Sequence, residues 1–344
     1  MTKPLLDVKD LRVTFNIRRD GDLPWAAPRQ LHAVGGVDFT LNPGQTLGIV
    51  GESGSGKSTL ARALIGLAPA SGQAEWIDGA ELIGLSPRQM LKYRADIQMV
   101  FQDPLASLNP RMTVGQIIAE PLTTHHPGLK RNAVKTRVKE MMEKVGLLPN
   151  QINRYPHEFS GGQCQRIGIA RALIAEPGLI ICDEPVSALD VSIQAQVINL
   201  LIRLQKDLDL ALIFIAHDLS VVKHISDRVL VMYLGHVMEI ASVEDLYANP
   251  QHPYTQALLS AVPVPDPVLE AEKSVVPLAG DLPSPMNPPS GCVFRTRCPR
   301  VQTVCAEAVP ALLGDGHQVA CHFPGPLTDA EIAGAIARAE AEPA

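Results

Sequence analysis

Gly51-Glu52-Ser53-Gly54-Ser55-Gly56-Lys57-Ser58 stands directly after the apolar run Thr46–Val50 and directly before a helical pattern that runs from Thr59 to Gly66. Strand, glycine-rich loop and helix in that order form the setting in which the pattern GxxxxGK[ST] binds phosphate. Glycines let backbone N–H groups converge on an anion. Lys57 is placed to reach the β- and γ-oxygens of a nucleotide, the Ser58 hydroxyl can ligate Mg²⁺, and the following helix points its positive end at the phosphates. A merely flexible glycine and serine loop is the bland alternative, and it leaves the flanking strand and helix unexplained. Gly51, Ser53, Gly54, Ser55, Gly56, Lys57, Ser58 and Thr59 are therefore the expected nucleotide-binding residues.

Two further apolar runs lead to chemistry. Leu179-Ile180-Ile181-Cys182 ends in Asp183-Glu184, and Leu210–Ala216 ends at His217. Near-continuous apolar segments of this length read as buried parallel strands, and open α/β sheets hold their ligands beyond the carboxyl ends of such strands. Asp183 is expected beside the Ser58 hydroxyl, holding Mg²⁺ directly or through water. Glu184 is then free to orient or deprotonate an attacking water. His217, at the third strand end, can reach the γ-phosphate, although a lone histidine is more often structural.

The whole chain fits an α/β protein. Its 344 residues predict about two domains, and 46% apolar against 19% charged residues argue against disorder. Lys and Arg number 30 and Asp and Glu 36, a formal charge of −6 that speaks against a nucleic-acid partner. No run approaches 18 apolar residues and the start is mixed polar, so the expectation is a soluble, cytoplasmic protein. Strand signals stop between about 103 and 168, where Arg131–Val145 reads as an exposed helix and a helical insertion is expected. Ten of the 29 prolines fall between Pro263 and Pro310, Pro265 and Pro267 among them, which excludes long helices and central strands there and places a boundary near residue 262.

Ser160-Gly161-Gly162-Gln163 before a helical pattern, Cys164 to Leu173, is weak in isolation. Taken with the two strand-end elements it resembles the signature of the ATP-binding-cassette (ABC) ATPases. Gln102 in Val100-Phe101-Gln102-Asp103-Pro104 resembles their Q-loop, Ser187-Ala188-Leu189-Asp190 their D-loop and His217 their switch histidine, while Phe15 stands where such proteins stack an aromatic ring on adenine. Cys164 occupies a position where the family usually has a basic side chain. The resemblance spans about residues 5–262 and implies a P-loop ABC ATPase cassette, a RecA-like core with an antiparallel β subdomain and a helical insertion, over residues 1–262. It implies ATP and Mg²⁺ as ligands, with Gln102 joining Ser58 and Asp183 around the metal and Glu184, His217 and Gln102 as the catalytic set. It also implies a head-to-tail dimer in which Ser160, Gly161, Gly162, Gln163 and Asp190 complete the nucleotide site of another subunit.

The remainder divides into a small proline-rich, cysteine-containing C-terminal domain, 263–327, and an Ala/Glu-rich tail, 328–344. Pro283-Ser284-Pro285, Asn287-Pro288-Pro289-Ser290-Gly291-Cys292 and Phe294-Arg295-Thr296-Arg297-Cys298-Pro299, with Gln251-His252-Pro253-Tyr254-Thr255 upstream, are similar to the ATP-binding subunits of oligopeptide and dipeptide importers. Gln102–Pro110 agrees with that branch. The resemblance implies an ATPase that powers peptide import, docked through the insertion on two permease subunits at the cytoplasmic side of the inner membrane, with an extracytoplasmic substrate-binding protein and a second, related ATPase, a heterodimer. The same engine could serve another solute, nickel or a sugar oligomer. A soluble ABC ATPase acting on DNA repair or translation would need a second cassette, long coiled coils or basic arms, and none is visible. A regulatory protein with a dead site is disfavoured by the presence of Lys57, Asp183, Glu184 and His217.

Cys292, Cys298, Cys305 and Cys321 have the spacing C-x₅-C-x₆-C-x₁₅-C, without the tight pairs usual in zinc ribbons. Four thiols on an irregular loop suit a [4Fe–4S] cluster, which related importer subunits can carry there. Zinc, or unliganded cysteines packed as small apolar residues, are the alternatives, and His317 and His322 flank Cys321 as further candidate ligands.

Overall fold

The structure, a computed structural model, describes residues 3–18, 28–263, 266, 268, 270, 273, 275–278 and 280–341. Pro265 and Pro267 of the proline-rich stretch and the last three residues of the tail lie outside the described residues.

Five strands whose side chains are buried on both faces build the centre. They are β3 (Thr46–Val50), β5 (Ile97–Val100), β6 (Leu179–Asp183), β7 (Ala211–Ile215) and β8 (Arg228–Tyr233), all parallel, in the order β8-β3-β7-β6-β5. β3, β6 and β7 are buried at every residue, as continuous apolar runs require when helices cover both faces of a sheet. The pairing aligns the strand ends, with Ile49 opposite Ile215, Asp183 opposite Ile215 and Val100 opposite Cys182. The residues that follow those ends therefore emerge along one edge.

Strand β9 (His236–Ser242) continues the sheet antiparallel to β8, and the two-residue β10 (Gln318–Val319) pairs with β9. The C-terminal region is thus built into the main sheet, and Phe294, Cys298 and Cys305 belong to the same core as Phe214 and Tyr233. A second sheet, order β2-β1-β4, pairs β1 (Leu6–Ile17) antiparallel with β2 (Arg29–Leu41) and β4 (Ser71–Trp76). Residues 101–178 hold helices and turns only, with α3 (Val114–His125), α4 (Arg131–Lys144) and α5 (Gly161–Leu173), after α1 (Lys57–Leu64) and α2 (Pro87–Asp96). α6 (Val191–Leu208) and α7 (Leu219–Ile225) follow β6 and β7. The tail forms a helix over Asp329–Ala341, started by Thr328, whose N–H and hydroxyl donate to Glu331 at 2.8 and 3.0 Å. Among the described residues no helix is long and apolar enough to cross a membrane.

Candidate nucleotide site

The loop after β3 is shaped by close backbone approach. Gly56 has φ 100°, and a Cβ there would stand 2.3 Å from the Ala33 carbonyl oxygen, so no other residue fits without displacing β2. Lys57 is buried, and its Nζ donates to the Gly51 carbonyl at 2.7 Å, the Glu52 carbonyl at 2.9 Å and Ser55 Oγ at 3.4 Å. Burial pushes the Lys57 pKa below the usual range, against Glu184, Asp183 and Glu52, which raise it. A desolvated ammonium ringed by carbonyls is a site for anionic oxygen.

Ser58 Oγ donates to Asp183 Oδ1 at 2.7 Å, which joins the start of α1 to the end of β6. Asp183 is buried, and that burial raises its pKa while the Ser58 bond and the cations Arg62 and Lys57 oppose the rise. The next residue, Glu184, has φ 46°, a left-handed conformation that costs a non-glycine residue about 1–3 kcal/mol. It is held there by its N–H donating to the Ile215 carbonyl at 3.0 Å. The turn swings the carboxylate out of the strand, where Gln102 Nε2 donates to Glu184 Oε2 at 2.9 Å and His217 Nδ1 lies 3.8 Å from the same oxygen.

A cavity of about 580 Å³ opens over these groups, lined by Phe15, Ser53, Gly54, Gly56, Lys57, Ser58, Thr59, Gln102, Glu184 and His217. Leu31, Ala33 and Pro285 complete the lining. Sequence reasoning missed these three. Leu31 and Ala33 are ordinary strand residues without a motif, and Pro285 comes from the other end of the chain. Gly51 and the fully buried Ser55 lie behind the loop, where they support Lys57 rather than face the cavity.

Ser160, Gly161, Gly162, Gln163 and Asp190 are not brought into this cavity. Ser160 caps α5 in a reciprocal pair, its N–H donating to Gln163 Oε1 at 3.0 Å and Gln163 N–H donating to Ser160 Oγ at 3.4 Å. Asp190 caps α6 through its carbonyl, which accepts from Ile193 and Gln194. A Cβ on Gly161 would stand 3.5 Å from Leu189, so the α5 start and the Ser187–Asp190 turn adjoin each other. Cys164, where a basic side chain is usual, is completely buried, its Sγ 3.4 Å from the Pro156 carbonyl oxygen.

The four C-terminal cysteines sit mostly in the core. Cys292, Cys298 and Cys305 are buried and Cys321 half-buried. Burial pushes the Cys292 thiol up to about 11 and the Cys298 thiol up to about 12. Among the described residues no group of three or more His, Cys, Asp or Glu side chains is arranged to hold a metal ion. The two flanking histidines are engaged elsewhere, His317 Nε2 with Glu239 Oε1 at 2.6 Å and His322 Nε2 with the Ala308 carbonyl at 3.0 Å. The iron–sulfur expectation finds no support in this arrangement. Burial raises the Cys292, Cys298 and Cys321 thiols and so favours their protonated form.

Comparison with known proteins places this geometry among relatives. The profile of the ABC transporter family matches residues 34–187, and that of the oligopeptide/dipeptide transporter C-terminal region matches residues 238–305. The oligopeptide transport ATP-binding protein OppF of Escherichia coli strain K12 is 64% identical over 327 residues, 94% of this chain and 98% of that protein. The protein of the same description from Haemophilus influenzae is 63% identical over 92% of this chain and 96% of its own length. Among solved structures, an ATP-binding cassette in a dimeric post-hydrolysis state with ADP and Pi is similar over 69% of this chain and 98% of its own, with TM-score 0.61 and 26% identity.

Proposed function

The chain belongs to the oligopeptide transport ATP-binding proteins of the ABC transporter family, and from that membership we propose that it is the ATP-hydrolysing subunit that powers oligopeptide import through membrane permease subunits. The observation that carries the reading is the convergence of Lys57, Ser58 and the Gln102–Glu184 pair on one cavity, with Asp183 bonded to Ser58 behind its wall.

Lys57 and the loop N–H groups bind the phosphates, and Phe15 offers a ring to the base. Ser58, Asp183 and Gln102 would hold Mg²⁺ bound with the nucleotide, and it would offset the charge of the phosphates. Glu184 accepts a proton from the attacking water. Gln102 fixes the orientation of that carboxylate, and His217, near the same oxygen, is placed to sense the γ-phosphate.

Ser160, Gly161, Gly162, Gln163 and Asp190 complete the nucleotide site of a second ATPase subunit, whose own signature completes this one. The N-terminus of α5 supplies backbone donors to the γ-phosphate across that interface. Loss of the bridging phosphate contacts on hydrolysis lets the subunits part, and the motion passes to the permeases. That the solved relative is a dimer with ADP and Pi supports this reading. The second ATPase is a related but distinct chain, and cargo arrives from an extracytoplasmic binding protein. The subunit sits peripherally on the cytoplasmic face of the inner membrane. Exposed Leu105, Leu148 and Tyr155 on the helical region support its role as the permease-facing surface.

Reconstitution tests the assignment. The chain, co-expressed with its permeases and second ATPase in proteoliposomes, should take up a labelled oligopeptide delivered by the binding protein only when ATP is inside. ATP hydrolysis without peptide uptake, and recovery of the chain free of membrane subunits, would overturn it.

A further inference from the structure

Glu52 belongs to the phosphate loop, and each of its polar groups is gripped by a different part of the molecule. Its carbonyl accepts from Lys57 Nζ at 2.9 Å, its N–H donates to Tyr254 Oη at 2.9 Å, and its carboxylate receives both arms of Arg297, Nη1 to Oε2 at 2.6 Å and Nη2 to Oε1 at 3.1 Å. The last two contacts span 202 and 245 residues and come from outside the nucleotide core. A forked pair of this kind is the strongest geometry available to a guanidinium and a carboxylate.

Arg297 is fixed before it meets Glu52. Its side chain is 7% exposed, its guanidinium lies 5.9 Å from the centre of the Tyr233 ring, and its N–H donates to the Phe294 carbonyl at 3.0 Å. Phe294 is fully buried against Tyr233, Tyr254 and His252, with ring centres 5.2, 5.3 and 5.6 Å away. The same C-terminal region reaches the cavity itself. Pro285 lines it, and a Cβ built on Gly54 would meet Leu282 at 3.6 Å.

A free carboxylate in a loop that must receive a polyphosphate would repel it, and the repulsion would be strong in a partly desolvated site. We propose that Arg297 is a positioning residue of the nucleotide site, through which the C-terminal region neutralises the Glu52 carboxylate and sets the affinity of the loop for ATP. The inference rests on the nucleotide-site reading above. It assigns to a region beyond the cassette a share in nucleotide binding, exerted through Glu52 of the same chain.

The test is the dissociation constant of a fluorescent ATP analogue for the full chain and its variants, with the unfolding midpoint measured alongside. Arg297→Gln should weaken binding about tenfold, and Arg297→Lys, which keeps the charge, should stay within about threefold of the parent. Glu52→Gln removes the repelling group, so it should bind at least as tightly as the parent, and the double variant Glu52→Gln/Arg297→Gln should recover most of what Arg297→Gln loses. A purely structural clamp predicts no recovery, and an unrelieved double variant overturns the proposal. So does an Arg297→Gln variant that binds like the parent. If Arg297→Gln does not fold, Glu52→Gln decides alone, since weakening of about fivefold or more contradicts neutralisation. Failure of the unmodified chain to bind the analogue would instead remove the nucleotide-site reading.

Discussion

Ser58 Oγ donates to Asp183 Oδ1 at 2.7 Å, although 125 residues separate them. The bond ties the first turn of α1 to the tip of β6, and β6 reaches that position because β7 lies between it and β3 in the parallel sheet. Two oxygens so placed, beside a buried lysine, are those proposed to hold Mg²⁺, Ser58 at the cavity wall and Asp183 behind it. Burial raises the Asp183 pKa while Ser58 opposes the rise, so the carboxylate is poised to gain from a cation.

Asp183→Asn should therefore abolish the benefit of Mg²⁺ more than it harms nucleotide binding itself. With Mg²⁺ present, affinity for ATP should fall about 10–100-fold, and with EDTA it should change little, because asparagine keeps the shape and loses the charge. Titration of a fluorescent ATP analogue in both media makes the comparison, and an equal loss in the two would remove Asp183 from the metal site.

Glu184 is held in a left-handed turn with Gln102 on one carboxylate oxygen. Glu184→Gln keeps the size and removes the base, so turnover should drop about 10²–10⁴-fold while ATP stays bound and the ATPase pair stays closed. Gln102→Ala should be milder, about tenfold in kcat, because the carboxylate remains and only its orientation is lost. Phosphate release and retained nucleotide measure both, and near-normal hydrolysis by Glu184→Gln would exclude it as the base.

The parts of the site that a local pattern encodes were legible in the sequence. β3, β6 and β7 are unbroken apolar runs because helices cover both faces of the sheet, and the residues after them converge because parallel strands end together. The start of α5 was harder to place. The helix begins at Gly161, but Gly161 and Gly162 are poor helix formers and hide the first turn, leaving the Ser160 to Gln163 capping pair as its signal. Contacts across long separations carry no such signal. Nothing in Phe294-Arg295-Thr296-Arg297 indicates which arginine meets Glu52, and β10, with two residues, is too short for any periodicity. The cysteines are a separate case: their clustering in sequence suggested a ligand set, and among the described residues no metal-holding group supports it.

Ser160→Ala removes the hydroxyl that receives the Gln163 N–H. Loss of an N-cap costs about 1 kcal/mol, which a domain of this size tolerates. Binding of ATP to the isolated chain should be unchanged, because Ser160 is absent from its own cavity. ATP-dependent association with the second ATPase should weaken instead. Size-exclusion chromatography of Glu184→Gln chains with and without Ser160→Ala separates the two effects, and unchanged association would rule out the signature as the trans half of the site.

His252 should make the C-terminal half acid-sensitive. It is fully buried, its Nδ1 accepts from the Tyr254 N–H at 3.0 Å, and burial, with Arg300 nearby, pushes its pKa from 6.5 down to about 3. Glu239 faces the same turn, accepting from the His252 N–H at 2.9 Å. Between those two pH values the unfolded chain binds a proton that the folded chain refuses, so stability rises with pH there. The contribution is complete above pH 6.5 and is lost as the pH falls towards 3. One proton corresponds to a slope of about 1.4 kcal/mol per pH unit, superimposed on the chain's carboxylates. His252→Gln cannot titrate, so its unfolding free energy, measured by denaturant from pH 7 to pH 5, should fall less steeply than the parent's by about that slope. Parallel curves would mean that His252 takes up its proton in the fold at the same pH as in the unfolded chain. The Tyr254 that His252 caps also holds the Glu52 N–H, so acid should loosen the phosphate loop before the sheet core unfolds.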